Sequence, residues 1–548
     1  MKQYAASLLF SGVFVFACFS AYGDGVSPEE AREKFIKPAT IIEVGPAKKR
    51  TQEEIIQGEI ALAPLPAEGV MIPFMPTMDP SEYAAEKAAA GQRADEAPSP
   101  ELEPQVPPEP QAPPKLKGIN FDGINQKASG VFPPDTHGAV GPLHFVEVVN
   151  AQAVVFDRRG VQLSRFSLGA LFGTTDPVFD PRVVFDQTWN RWVIVATRMS
   201  ESPTDVVQRF FLAITQTPDP TGDYFVYFIS FFNGPFDEGD WWDFPQLGMN
   251  QDALIITGNI FDAPSGDFKG AAMMPVAKAR VYNGLDFSAP IFANLDGTLA
   301  PPIVLDQNKD AYLVAASNFT HLTLYRGENL SSAFEATLVL QSQINVPDYA
   351  IPPDALQLDT FQKLDTSDRR FVNASTQIGD SLWNVHTINF NRFARPKFYE
   401  IDTEDPGANT IKQQGFFSES RTSYDFNASI AANELGEVFV TWSTTDVRNS
   451  NVNLRHNARI RFSGRQASDP LGVIPRGSVL FTSTMALTGN TGAILGVQRW
   501  GDYSAVSLDP LAISSDNGKN RHAWIVNEKI DTPDTWGSRI GRIGFRNE

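Results

Sequence analysis

The chain has 548 residues, with 45 Lys and Arg against 64 Asp and Glu and a formal charge of −19. The acid excess is spread along it: residues 24–114 hold 17 acidic and 8 basic side chains, a balance of −9, residues 1–23 give +1, and −11 is left for the rest. A chain acidic throughout lacks the positive footprint that nucleic acid or an anionic membrane surface requires, so neither is expected as a partner.

The N-terminus has the three parts of a secretory signal: Lys2, an apolar run over 5–19, and small residues at Ala21 and Gly23 around Tyr22. That run is short for a bilayer span and no other segment is apolar enough to cross, so a soluble, secreted, periplasmic or cell-surface protein is expected. The sole cysteine, Cys18, lies inside the run, and Phe16 stands where a lipid-attachment signal needs a small residue. Cleavage after Gly23 leaves no thiol and therefore no disulfide.

Residues 24–115 read as an acidic, proline-rich linker. Helical starts are marked at Ser27, with Pro28 at the first helical position, and at Thr51, whose partner Glu54 completes a capping-box spacing. Neither is followed by enough apolar periodicity to build a core. From Ala97 to Pro114, eight of 18 residues are proline, which predicts an extended, solvated spacer. The expectation is a disordered tail that packs little on the domain at 116–548.

Those 433 residues exceed what one ordinary hydrophobic core supports, so a repeat is expected, and one is present. Short segments that begin near an acid and end in Asp or Asn recur as DTHGAVG (135–141), DPRVVFD (180–186), DFPQLGMN (243–250), IVLD (303–306), DTFQKLD (359–365), DFNASIAAN (425–433) and GDYSAVSLD (501–509). A strongly apolar strand follows each: HFVEVVN, RWVIVATR, ALIITGN, AYLVAASN, RFVNAST, EVFVTWS and HAWIVNE. Third strands are read at AVVFDRR, RFFLAIT, AKARVYN, HLTLYRG, LWNVHTI, NARIRFS and SRIGRIGF, with β-branched and aromatic residues in the strands and Gly, Pro, Asn and Asp between them. Consecutive four-stranded antiparallel units predict an all-β fold, a single β-propeller of seven blades, although six or eight also fit the irregular first and sixth units. The last unit lacks a fourth strand, and KGINFDG at 117–123 is expected to supply it and close the ring.

In such a blade the inner strand starts, and the second strand ends, on one face of the disc. Asp135, Asp180, Asp243, Asp425 and Asp502 fall at the starts, and Asn150, Arg198, Asn259, Asn318 and Asn527 at the ends. One channel mouth is therefore the default binding site. A repeated Asp or Asn also caps loops, so these residues have a structural reading as well as a ligand-binding one. Two clusters depart from the repeat: Asp240, Trp241, Trp242 and Asp243 in one unit, and Arg499, Trp500, Gly501, Asp502 and Tyr503 in the last. Their rings could stack on a sugar while the acids accept its hydroxyls, or they could pack blades.

The phrases DPRVVFDQTWNRW, DFPQLGMNQDALIITGN and RWGDYSAVSLDP resemble a loose group of exported bacterial proteins with sialidase-like β-propeller domains, over about residues 130–548. The resemblance implies a propeller; it does not transfer a catalytic set. The nearest approach to the sialidase Asp-box S-x-D-x-G-x-x-W begins at Ser514, with Asp516 and Gly518, and reaches Arg521 where the aromatic belongs. No pattern matching the family's three arginines, its Tyr-Glu pair and its acid Asp can be assigned; Arg182, Arg421 and Arg499 are candidates only by position.

Metalloprotease, serine-hydrolase, P-loop and EF-hand patterns are absent from the sequence. No cofactor is expected, although Ca²⁺ could draw oxygens from Asp176, Asp180 and Asp186 or from Asp237, Glu238 and Asp240. The leading reading is a monomeric, non-catalytic exported propeller that binds a glycan or an extracellular protein at the channel mouth. A glycoside hydrolase or lyase using carboxylates from different blades is the alternative, and a surface or matrix scaffold is a third.

Overall fold

The structure, a computed structural model, describes residues 34–61, 69–95, 112–198, 209–230, 236, 240–262, 265–404, 410–489, 496–511 and 521–545. The signal-like segment, the helix start at Ser27, most of the proline spacer, Asp237, Glu238 and the Asp-box-like stretch at 514–518 lie outside them.

The fold is all-β. A first sheet is made by His137–Val140, His144–Val149, Gln152–Asp157 and Gln162–Ser167. The second contains Val178–Asp186, Arg191–Arg198, Arg209–Thr215 and Tyr224–Ser230, and the third Asp240–Met249, Ala253–Asp262, Phe268–Ala277 and Phe287–Leu295. The fourth runs from Leu299–Ala300 through Ala311–Ala315 and His321–Glu328 to Thr337–Asn345; its inner strand continues as Pro302–Val304, which pairs in parallel with both neighbouring sheets. The fifth is Ser375–Ile378, Ser381–Phe390, Phe393–Asp402 and Ile411–Phe416, and the sixth Tyr424–Ala432, Val438–Asp446, His456–Arg465 and Ser478–Thr482. The seventh sheet joins Ala505–Leu508, His522–Thr532 and Thr535–Gly544 to Lys115–Asn125 from the other end of the chain.

The second strands are mostly apolar on both faces because each sheet is covered on both sides, with isolated buried polar residues such as Glu147, Asn384 and Asn527. The core is accordingly divided into clusters between neighbours: Val155, Leu171 and Ile194 between the first and second sheets, Leu212 and Ile256 between the second and third, and Phe145, Trp524 and Trp536 between the seventh and the first. Inner strands touch in the same cyclic order.

Lys115–Asn125 is locked in place from below. The buried Glu147 carboxylate accepts from Ile124 N at 2.8 Å and from the Ser538 hydroxyl, and a side chain at Gly123 would overlap it.

Two strand assignments are corrected. AKARVYN is not a strand: Lys278–Val281 is helical and the third strand is Phe268–Ala277. In the fifth unit the reading ran one strand early, because LWNVHTI is the second strand and the inner one is the short, polar Ser375–Ile378. DTFQKLD instead contributes Lys363–Leu364 to a small separate sheet with Ala355–Leu356 and Val497–Gln498.

The expectation of a tail that packs little is also corrected for residues 34–61 and 69–95. Lys34–Ile36, Thr40–Val44 and Lys48–Arg50 add antiparallel strands to the outer edges of the fourth, third and second sheets in turn. The helix Gln52–Ala61 follows, capped reciprocally by Thr51 N to Glu54 Oε2 at 2.8 Å and Glu54 N to Thr51 Oγ1 at 3.2 Å, and it buries Ile55 near Ala170. Val70–Met71 then pairs with Val131–Phe132, and the helix Pro80–Asp95 crosses one face. Apolar content underestimated this segment because strand addition draws on main-chain hydrogen bonds that an open sheet edge already offers. Among the described residues no helix is long and apolar enough to cross a membrane.

Candidate functional site

Near the N-terminal ends of the inner strands the backbone repeats a device. Asp180, Phe244 and Asn427 have φ of 53°, 53° and 49°, each beside a register shift in its strand, and Asp135 has 47° just before its own. Asp and Asn tolerate this left-handed conformation better than most residues. The bulge takes Asp180 itself, Phe244 next to Asp243, and Asn427 two after Asp425, out of the regular ladder.

The acids here form one buried network. Asp135 accepts from Asp502 N at 2.8 Å and from Asn150 Nδ2 at 2.6 Å; Asn150 Oδ1 accepts from Asp180 N at 2.7 Å; Asp180 Oδ2 accepts from Phe244 N at 3.2 Å. Glu528 receives Gly501 N at 2.6 Å. Three arginines enter between them. Arg499 grips Asp502 with two bonds of 3.0 Å and reaches Asp365 at 3.2 Å, and Arg370 holds Asp368 at 2.9 and 2.8 Å. Arg182 donates to the Pro245 and Val372 carbonyls and to Asn373 Oδ1, with its guanidinium 3.2 Å from the Tyr503 ring centre.

Burial raises the carboxyls of Asp135, Asp180 and Glu528 well above the ordinary range, and neighbouring acids add to it. Asp243 is pushed up to about 7, chiefly by burial. At Asp368 the Arg370 charge and hydrogen bonds outweigh burial and hold the carboxyl at about 2.

Residues 70–77 and the helix Pro80–Asp95 roof this network. The Ile72 carbonyl accepts from Arg499 Nε at 3.3 Å and that of Met75 from Arg370 Nη2 at 2.6 Å. The Phe74 ring lies 4.8 and 5.5 Å from those two guanidinium carbons. Thr77 Oγ1 donates to Asp368 at 3.2 Å, and Lys87 pairs with Asp354 at 2.7 Å. The gap left beside Arg370, Trp500 and Asp502 is about 10 Å³, room for a water.

At the opposite end the channel widens into a cavity of about 260 Å³, lined from every inner strand. Gln187, Thr188, Gln251 and Asp306 stand at its rim, with Asn373, Ser429, Ser504 and Ser507 deeper in, among Val184, Ile303 and Val506.

Of the residues singled out from sequence, Asp135, Asp180, Asp243, Arg499 and Asp502 come together in the network. The tryptophans do not offer a face to a ligand there; of the two roles read for them, they take up packing positions. Trp242 is 2% exposed against Phe210 and Phe236, and a side chain at Gly258 would overlap its indole. Trp500 is 1% exposed against Phe426, and the half-buried Trp241 packs on Phe179 and Phe261.

Arg198 pairs with Asp176 at 2.9 Å and Asn259 reaches Thr298 Oγ1 at 3.0 Å, so both tie local structure together instead of lining the mouth. Asp425 is held by Arg395, Ser423 and Trp442. The expected Ca²⁺ ligands also separate: Asp186 lies at the far end of its strand, paired with Lys278 at 2.6 Å, and Asp240 holds Lys269 at 2.8 Å. No cluster of metal-ligand type occurs among the described residues. The reading missed Asp365, Asp368 and Arg370 because the strand slip in the fifth unit placed Asp365 and Arg370 at strand ends and Asp368 in the turn between them; the dense DTSDRR stretch was the available signal.

The raised acids give a pH expectation. Asp243, at about 7, and Glu147, raised by burial to about 8, bind protons more tightly when folded than when unfolded. Their contribution is full below about pH 4 and is lost as pH rises through 7 to 8, while that of Asp368 is lost as pH falls from about 4 to 2. Urea midpoints should therefore fall from about pH 5 to pH 8.5. Glu147→Gln should flatten part of that slope; an unchanged slope would show that Glu147 does not titrate in this window.

No family model matches the chain, and no curated protein matches it. Among solved structures it is similar to an exo-beta-1,3-galactanase from Phanerochaete chrysosporium at 12% identity and a TM-score of 0.30, covering 62% of this chain and 80% of that one. A protein of unknown function from Dyadobacter fermentans gives 9% identity, a TM-score of 0.32, and 67% and 94% coverage. A Trypanosoma rangeli sialidase gives 9%, 0.30, and 72% and 56%. These are loose likenesses to sialidase and glycoside hydrolase β-propeller proteins, and at such scores they carry no statement about activity.

Proposed function

We propose that this chain is an exported seven-bladed β-propeller that binds a glycan without cleaving it, at the open end of its central channel. The observation that carries the reading is the division of the channel. At one end Asp135, Asp180, Asp243 and Asp502 are bonded internally beneath residues 70–77, with a gap of about 10 Å³. At the other, hydroxyls and amides stand among aliphatic side chains around about 260 Å³. Apart from Asp306 at the rim and the Asp186–Lys278 pair, the polar groups are neutral donors and acceptors beside an apolar wall, which suits a polyol, and the volume is near the lower end for ligand pockets, enough for a chain end or a branch. A glycoside hydrolase is the second reading, favoured by Asp243, raised by burial to about 7, within electrostatic reach of the ion-paired Asp502; it requires residues 70–77 to leave.

The full chain on a polysaccharide array should retain a neutral glycan, release no reducing ends, and lose at least tenfold in affinity in Gln251→Trp with an unchanged thermal midpoint. Release of reducing ends would favour the hydrolase, and undiminished binding in Gln251→Trp would remove the channel from the site.

A further inference from the structure

The wedge between the fourth and fifth sheets holds two cations without a counter-ion. Arg369 is 8% exposed; its Nη2 reaches the Ser317 carbonyl at 3.4 Å, while Nε and Nη1 face no acceptor among the described residues. Its guanidinium carbon lies 4.3 Å from the Phe319 ring centre. Lys397, on the strand Phe393–Asp402, is 3% exposed and has no hydrogen bond or ion pair to a described residue. Its ammonium sits 5.2 Å from the Tyr399 ring and 5.7 Å from that of Phe416.

His386 lies within electrostatic reach of both cations and supplies no negative charge. Its Nδ1 is 2.7 Å from the Arg369 carbonyl and so carries the proton, leaving Nε2 to accept from the Tyr399 hydroxyl at 3.2 Å. The nearby acid is engaged elsewhere: Asp368 gives both oxygens to Arg370 and Thr77. Glu400, on the Lys397 strand, accepts from Ser381 and Gln413.

A buried ion is retained when something compensates it, by pairing or by coordination. Among the described residues the wedge provides two positive groups, unpartnered donors and an aromatic wall, and the carboxylate within electrostatic reach of Arg369, Asp368, is already bonded to Arg370 and Thr77. We propose that this wedge is an oxyanion site in which Arg369 and Lys397 together take a carboxylate, sulfate or phosphate group. Burial holds the Lys397 amine down at about 8, and a bound anion should raise it. The site is separate from the channel and does not depend on the glycan reading.

The test uses the full chain and three probes, inorganic sulfate, inorganic phosphate and glucuronate, against chloride at matched ionic strength. At least one oxyanion should raise the thermal midpoint saturably where chloride does not. A response to sulfate or phosphate alone identifies a free ion, and one to glucuronate a carboxylate carried on a sugar. Arg369→Gln and Lys397→Met should each weaken the apparent affinity at least tenfold, with Lys397→Arg retaining most of it. In the wild-type chain the same anion should slow labelling of Lys397 by an amine-directed reagent at pH 8, a readout that survives if a variant fails to fold. Equal midpoints in chloride and all three probes would overturn the proposal. So would unchanged affinity in both variants, or a saturable shift that leaves Lys397 labelling untouched.

Discussion

Trp242→Ala and Trp500→Ala are each expected to lower the free energy of unfolding by about 3–5 kcal/mol, the range for removing a large buried aromatic. Both rings are fully enclosed. Trp242 lies between the second and third sheets among Phe210, Leu247 and Ile256, across a glycine with no room for a side chain, and its carbonyl accepts from Thr197 Oγ1 at 3.0 Å. Trp500 lies under Phe426 with its indole nitrogen 3.3 Å from Ser443 Oγ. Urea denaturation of the single variants measures the effect. A change below about 1 kcal/mol at either position, with lost glycan retention, would return that ring to the ligand-binding role its sequence setting suggested.

The two clusters that looked alike in sequence thus divide by side chain. In the first, Trp242 and Asp243 are successive residues of one strand and so point to opposite faces. In the last, Trp500 and Asp502 lie in the loop before Ala505–Leu508, where Arg499 grips Asp502 and Trp500 packs on Phe426. Spacing alone gave Asp243 and Asp502 their place; it could not tell which neighbour faced inward.

Apolar runs located six of the seven second strands. They failed where the inner strand was the polar STQI at 375–378, which carries none of the apolar signal of its counterparts. The N-terminal segment was misread for a different reason. TIIEV at 40–44 is too short to suggest a core, yet it needs only the open edge of Phe287–Leu295 to become a strand. Pairing with a partner 250 residues away leaves no local trace.

Arg370→Met is expected to cost about 3–5 kcal/mol, because it leaves the Asp368 carboxylate buried with its ion-pair partner gone. Asp368→Leu added to it should recover most of that loss, since replacing both partners by apolar groups strands no charge. The single change also removes the donor to the Met75 carbonyl and the cation beside Phe74, so it should loosen the roof selectively. Under limited proteolysis residues 72–77 should be cut faster in Arg370→Met than in the parent, and the double variant should keep that sensitivity while regaining stability, because it restores neither contact. Two denaturation curves and one digestion therefore separate the pair's two roles. Additive costs in the double variant would mean that Arg370 and Asp368 are not an energetic unit. Unchanged cutting would mean that the strand pairing at Val70–Met71 and the Lys87–Asp354 bridge hold the roof without Arg370.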